Sequence, residues 1–241
     1  MERKLYLVAM AGGHGARMGA DRPKQFLRLG GKPLLRLSVE RFIEAYPAVK
    51  VVTVLPQAYM QTWKDYCLGE GFLHPQVLAE GGITRFHSVR NALSRVPDGV
   101  IVAIHDGVRP LVSPELVRRM AERMGTGDPL VQALIPVVPV TDTLKAVRAV
   151  TDSAGGPRLE PLPGEDPDRS RIFAAQTPQM FLSEEIKAAY SQAYDTRFTD
   201  DASVAAAYGI PLTYCEGERS NIKITTPEDM LVAEAFRSRA R

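Results

Sequence analysis

Residues Ala11 to Lys24, AGGHGARMGADRPK, place three glycines, Gly12, Gly13 and Gly15, just ahead of two cations, Arg17 and Lys24. Backbone without Cβ atoms can approach a ligand closely and aim successive N–H groups at anionic oxygens, while Arg and Lys add full positive charge. The chemistry implied is polyphosphate binding; an ordinary surface loop with turn glycines is the competing reading of the same residues. A second run, His105-Asp106-Gly107-Val108-Arg109-Pro110, follows the apolar segment Val100 to Ile104. There Arg109 can meet a ligand or merely pair with Asp106. Thr199-Asp200-Asp201 precedes an Ala-rich stretch and reads better as a helix cap with first-turn acids than as a catalytic group.

Familiar nucleotide and hydrolase patterns fail. Gly30-Gly31-Lys32-Pro33 puts Pro where a P-loop needs its hydroxyl and Phe26 where it needs its first Gly. Gly13-x-Gly15 is followed by Met18 in place of the third Gly of a dinucleotide fingerprint, and Leu55-Pro56 offers no ribose-binding acid. No G-x-S-x-G elbow occurs. The four histidines, His14 and His105 among them, lack metal-ligand spacing and read as structural; Cys67 and Cys215 form no CxxC and predict reduced thiols of a cytoplasmic protein.

The elements that must carry these residues follow from the apolar pattern. A 241-residue chain with 45% hydrophobic residues has ample material for a core. Its 30 basic and 28 acidic residues are interspersed, so no nucleic-acid footprint is expected. Arg3 and Lys4 ahead of LYLVAMA resemble a signal peptide, but the run is short and feeds directly into the glycine loop, as a first strand would. The longest apolar run, PLVQALIPVVPV, is interrupted by Gln132 and prolines, so no membrane span is expected. Strands are predicted at Leu5 to Met10, Val49 to Leu55, Gln76 to Ala79, Val100 to Ile104, Leu130 to Ile135 and Leu212 to Cys215, with helices between them.

This alternation predicts an α/β, Rossmann-like, mostly parallel open sheet with helices on both faces, binding ligands beyond the carboxyl ends of its strands. The rhythm breaks after Pro136. Val137 to Val150 and RIFAA read as two extended segments joined by the Gly- and Pro-rich SAGGPRLEPLPGEDPD, which makes either a projecting β-hairpin arm or a disordered insertion. Such an arm has little core of its own and is expected to pack on another subunit. One domain over residues 1–241, with the arm at about 137–172, is the economical reading.

Several segments taken in order resemble the 2-C-methyl-D-erythritol 4-phosphate cytidylyltransferase family: AGGHGARMGADRPKQFL, GGITRFHSVRNAL, HDGVRPLV, VTDTLK, QTPQMF, TDDASV and NIKITTPED. The resemblance implies transfer of CMP from CTP to methylerythritol phosphate in isoprenoid precursor synthesis, with Mg²⁺ or another divalent cation carried mainly by the triphosphate and Asp106 a possible ligand. It further implies that Arg17, Lys24 and Lys223 grip the reacting phosphates. Ala11, Gly12, Gly13, Gly15, Gly82, Arg85 and Ser88 would contact the nucleotide. Asp106 and Arg109 would border the second substrate, and Thr143 and Arg169 would reach it from a neighbouring subunit of a homodimer. Thr143 could equally be an ordinary strand residue. A ribitol-5-phosphate cytidylyltransferase shares most of these motifs, and a non-catalytic nucleotide-binding module is the reading from another class. Gly12 and Gly107-Val108 depart from the family pattern, which has Ala at the first position and Ala-Ala at the others.

Overall fold

The computed structural model describes residues 3–13, 23–125, 130–151, 155–164 and 166–239. In chain order the elements are β1 (Leu5–Met10), β2 (Arg28–Leu29), β3 (Lys32–Pro33), α1 (Leu34–Ala45), β4 (Lys50–Leu55), α2 (Gln57–Gly69), β5 (Gln76–Glu80), α3 (Arg85–Leu93), β6 (Ile101–Asp106), α4 (Pro114–Gly125) and β7 (Ala133–Pro139). The remainder are β8 (Val147–Thr151), β9 (Pro157–Pro161), β10 (Phe173–Ala175), β11 (Gln179–Leu182), α5 (Ser183–Ala189), α6 (Asp201–Tyr208), β12 (Leu212–Glu216) and α7 (Pro227–Arg239).

The strands β5, β4, β1 and β6 pair in that order, all parallel. β11 runs antiparallel between β6 and β7, and β12 lies parallel along the other side of β7. Period-two alternation splits each central strand between two cores. Leu5, Leu7 and Ala9 join α1, α2 and α4, with Phe42, Trp63 and Met120, on one face. Val8 and Met10 join α3, α5 and α6, with Phe86, Tyr190 and Val204, on the other. Burial on both faces explains why the strands read as continuous apolar runs. A third cluster packs α7, through Ala233, on Leu29, Leu34, Val108 and Ile224.

The expected arm is present but differently built. β7 extends to Pro139, so residues 137–139 belong to the main sheet, and β10, which contains the end of RIFAA, pairs back on them. The projecting hairpin is β8 against β9, and β9 lies inside the stretch expected to be only a turn. Gly155, at φ +83, supplies a left-handed position before β9, which lets the chain reverse there. Helix α5 ends at Ala189, and residues 221–225 run between β12 and α7 without forming a strand.

Candidate active site

The carboxyl ends of β1 and β6, the start of α3 and the strap entering α7 enclose a cleft of about 500 Å³. Its walls include Ala11, Gly12, Gly13 and Lys24 on one side, Gly82, Ile83, Arg85 and Ser88 on another, and Asp106 and Lys223 across from them. Residues some two hundred positions apart thus meet where an open α/β sheet offers its crevice.

Each wall has an identifiable support. The Ala11 N–H donates to Val54 O at 2.9 Å. The Gln25 amide nitrogen donates to Ala11 O at 2.8 Å and to Gly13 O at 3.4 Å, so a buried side chain fixes the start of the glycine loop. A Cβ on Gly82 would fall 2.5 Å from His87 Cβ, which excludes any side chain there, and the Gly82 N–H donates to Ser88 Oγ at 2.9 Å. At Gly12 a Cβ would make ordinary contacts of 3.5 Å or more, so the departure from Ala leaves this wall intact. Gly107 differs, because a Cβ there would approach Leu35 Cδ1 to 2.8 Å and Met10 O to 3.1 Å. Val108 packs into the cluster under α7 while also bordering the cleft, and its backbone carbonyl accepts from Ile224 N–H at 2.9 Å.

Electrostatically the site centres on Asp106. Its Oδ2 lies 3.0 Å from Lys223 Nζ and 3.4 Å from Arg109 Nε. Burial pushes the carboxyl pKa up, but the Arg85, Lys223 and Arg109 cations outweigh burial and hold it below the usual carboxylate range. Its backbone N–H donates to Thr177 Oγ1 at 3.0 Å. His105 Nε2 lies 3.1 Å from Arg109 O and Nδ1 lies 3.1 Å from Thr177 Oγ1. A carbonyl can only accept, so Nε2 carries the proton and Nδ1 accepts from the threonine hydroxyl. Burial lowers the His105 pKa to about 4, and the ring is a neutral strut, as its sequence context predicted.

Arg85 is held by Asp201 in a two-pronged pair, at 2.7 and 2.6 Å, and the Tyr190 hydroxyl donates to the same carboxylate at 2.6 Å. Burial disfavours the Arg85 charge, but Asp201 overcomes it and keeps the guanidinium more firmly protonated than usual. Asp200 is the predicted cap of α6, in a reciprocal box with Ser203. Asp201 is the first-turn acid of α6 that the sequence context indicates, and, fully buried, it also anchors a cleft residue.

Of the residues singled out from sequence, Ala11, Gly12, Gly13, Lys24, Gly82, Arg85, Ser88, Asp106 and Lys223 converge on the cleft. Gly15, Arg17 and His14 lie outside the described residues. Arg109 stands behind Asp106 and donates to Asn221 O at 2.8 Å, which makes it a buttress and not part of the lining. Thr143 and Arg169 are exposed in the arm, away from this chain's cleft, with Arg169 donating to Thr141 O at 2.6 Å. Gln25, Gln176, Thr177 and Asn221 escaped the sequence reading, since buried amides and hydroxyls carry no spacing signal. Among the described residues no group of three or more His, Cys, Asp or Glu forms a metal-ligand cluster.

The arrangement suits a polyanion: two lysines and one guanidinium, beside a glycine-lined wall, around a single compensated carboxylate. Comparison with protein-family models matches residues 5–239 to 2-C-methyl-D-erythritol 4-phosphate cytidylyltransferase (IspD). A Porphyromonas gingivalis protein of that name is 43% identical over 238 residues, covering 97% of this chain and 98% of the relative. One from Bacteroides thetaiotaomicron is 40% identical over 233 residues, covering 97% and 99%. The crystal structure of the Francisella tularensis protein of that name superposes with a TM-score of 0.74 at 28% identity, covering 96% of this chain and 99% of that one. On family match and near-complete coverage, the chain belongs to the 2-C-methyl-D-erythritol 4-phosphate cytidylyltransferase family.

Proposed function

We propose that this protein transfers CMP from CTP to 2-C-methyl-D-erythritol 4-phosphate, releasing pyrophosphate. The observation that carries this reading is the convergence of Lys24, Lys223 and the Ala11–Gly13 backbone in one cleft with Gly82 and Ser88. The substrate phosphate forms a bond to the α-phosphorus of CTP as the bond to the bridging oxygen breaks and pyrophosphate departs. The attacking group is already anionic, so no general base is needed; the obstacles are repulsion between phosphates and charge growing on the α-phosphorus oxygens. Lys24 and Lys223, with Arg17, meet that charge. Gly82, Ser88 and the Asp201-anchored Arg85 hold the nucleoside. Asp106 fixes the Lys223 ammonium and borders the incoming phosphate.

A divalent cation, Mg²⁺ by family, supplies further neutralisation of the triphosphate. Asp106 is the one carboxylate among the described lining residues, which fits a metal carried mainly by the nucleotide. The protein acts as a homodimer in this reading. Val147, Leu159, Leu162, Ile172 and Phe173 leave apolar surface exposed on and beside the arm, which supports docking on a second copy. Thr143 and Arg169 then face the partner's cleft.

Incubation with CTP, Mg²⁺ and either methylerythritol phosphate or ribitol 5-phosphate, with pyrophosphate measured, tests the activity. Release with the first alone is expected. Release with ribitol 5-phosphate instead reassigns the acceptor, and release with neither reduces the site to a nucleotide-binding module. Sedimentation of the protein with and without residues 147–161 tests the arm, with a monomer expected from the shortened chain.

A further inference from the structure

We infer that Gln176 is a positioning residue for Lys223, gripping the strap that carries this lysine; the inference rests on the role proposed above for Lys223. The Gln176 Oε1 accepts from Glu218 N–H at 3.1 Å while its Nε2 donates to Glu218 O at 2.8 Å. One side-chain amide thus pairs with both backbone groups of a single residue, as a neighbouring peptide unit would in a β-ladder. Weaker contacts at 3.4 Å run from Nε2 to Asn221 O and from Asn221 Nδ2 to Oε1. The strap can come this close only because residue 217 is glycine, since a Cβ there would lie 2.6 Å from Gln176 Oε1.

The remaining anchors bracket Lys223 and leave it little play. Asn221 donates to Thr177 O at 2.8 Å and its carbonyl accepts from Arg109 at 2.8 Å. Ile224 N–H reaches Val108 O at 2.9 Å, immediately beyond the lysine. The Glu218 carboxylate accepts from Ser113 N–H at 3.0 Å and from its hydroxyl at the start of α4. Gln176 is the side chain common to the Glu218 and Asn221 ends of this strap. It is also the first residue after β10, where the arm returns to the sheet, and its own N–H donates to Pro136 O at 2.8 Å. The root of the arm and the seat of the lysine therefore meet at one buried amide.

Gln176→Met, which keeps length and loses both hydrogen-bonding functions, tests the inference. Expected for Gln176→Met is a fall in kcat for pyrophosphate release of about tenfold, the scale of one lost net hydrogen bond, with the KM for CTP within about threefold. In a Lys223→Ala background the same change is expected to cost less than about twofold, because no ammonium remains to be positioned. Equal losses in the two backgrounds, or an unchanged kcat in Gln176→Met, overturn the positioning role. Hydrogen exchange supplies a readout independent of activity: amides of residues 217–222 are expected to exchange faster in Gln176→Met, and unchanged exchange overturns the grip itself. Should the wild-type protein release no pyrophosphate from CTP and methylerythritol phosphate, the proposed activity fails, and the exchange result still decides whether Gln176 holds the strap.

Discussion

Replacing Lys223 with Met separates the chemistry of the cleft from its stability. The ammonium lies 3.0 Å from Asp106 Oδ2, yet the Lys223 side chain is 43% exposed while that of Asp106 is 11% exposed. An ion pair with one partner so open to water contributes about 0.2–1 kcal/mol. Asp106 is also not abandoned by the change, because Arg109 and Arg85 continue to offset its burial. Melting temperature is therefore expected to drop by no more than about 4 °C, at roughly 2–4 °C per kcal/mol for a domain of this size. Activity should respond on another scale. Loss of one preorganised donor at a developing oxyanion lowers kcat by about 10²–10³-fold, or about 2.7–4 kcal/mol of transition-state stabilisation. Steady-state pyrophosphate release and a thermal melt followed by circular dichroism give the two numbers. A kcat within about threefold of wild type refutes the role of the lysine. An activity loss accompanied by collapse of the melt refutes the claim that its contribution is chemical.

Three further outcomes follow from the packing. His105, at about 4 against an ordinary 6.5, refuses a proton that the unfolded chain accepts. Its contribution is therefore complete above pH 6.5 and lost as pH falls toward 4, amounting to about 3 kcal/mol; urea unfolding across that window should show a flatter pH dependence in His105→Gln than in wild type. Gly107→Ala forces a Cβ to 2.8 Å from Leu35 Cδ1 and should cost about 1–3 kcal/mol, with Leu35→Val recovering part of it; strict additivity of the two melts would contradict the contact. Asp201→Asn breaks a buried pair whose carboxylate is fully enclosed, and denaturant titration should register a loss of about 3–5 kcal/mol together with a higher KM for CTP.

The sequence made the frame of the molecule legible because strands buried on both faces leave unbroken apolar runs. Leu5 to Met10 and Val100 to Ile104 announce themselves, and the groups at their ends, the glycine loop and Asp106, are thereby placed at one edge of a sheet. The start of α6 was equally clear, because Thr199-Asp200-Asp201 marks a cap and Asp200 supplies it; α4 and α7 open on local bonds of the same kind. Leu116 N–H donates to Ser113 Oγ at 2.9 Å, as a cap should, and Thr226 and Asp229 exchange hydrogen bonds at the start of α7. What stayed hidden depends on distance along the chain. Nothing near Asp201 indicates that Arg85, 116 residues earlier, will claim it, and nothing near Gln176 points to Glu218. The strand Pro157–Pro161 was obscured by its prolines, which normally punctuate; in a separate two-stranded sheet both strands are edges, where proline is tolerated.

The antiparallel strand β11 has a consequence for how the chain acquires this fold. Residues 179–182 fill the gap between β6, at 101–106, and β7, at 133–139, so the sheet cannot be closed by the segments that precede them. As the polypeptide leaves the ribosome, β1, β4, β5 and β6 can assemble early, whereas β7 must wait for a strand that emerges after the whole arm. Closing that gap carries the entropic cost of a long loop and raises the contact order of the folding reaction. Until it closes, both β6 and β7 present unpaired edges. Chains truncated before residue 182 should therefore aggregate, and refolding should show a late phase in which β11 zips the two halves of the sheet together.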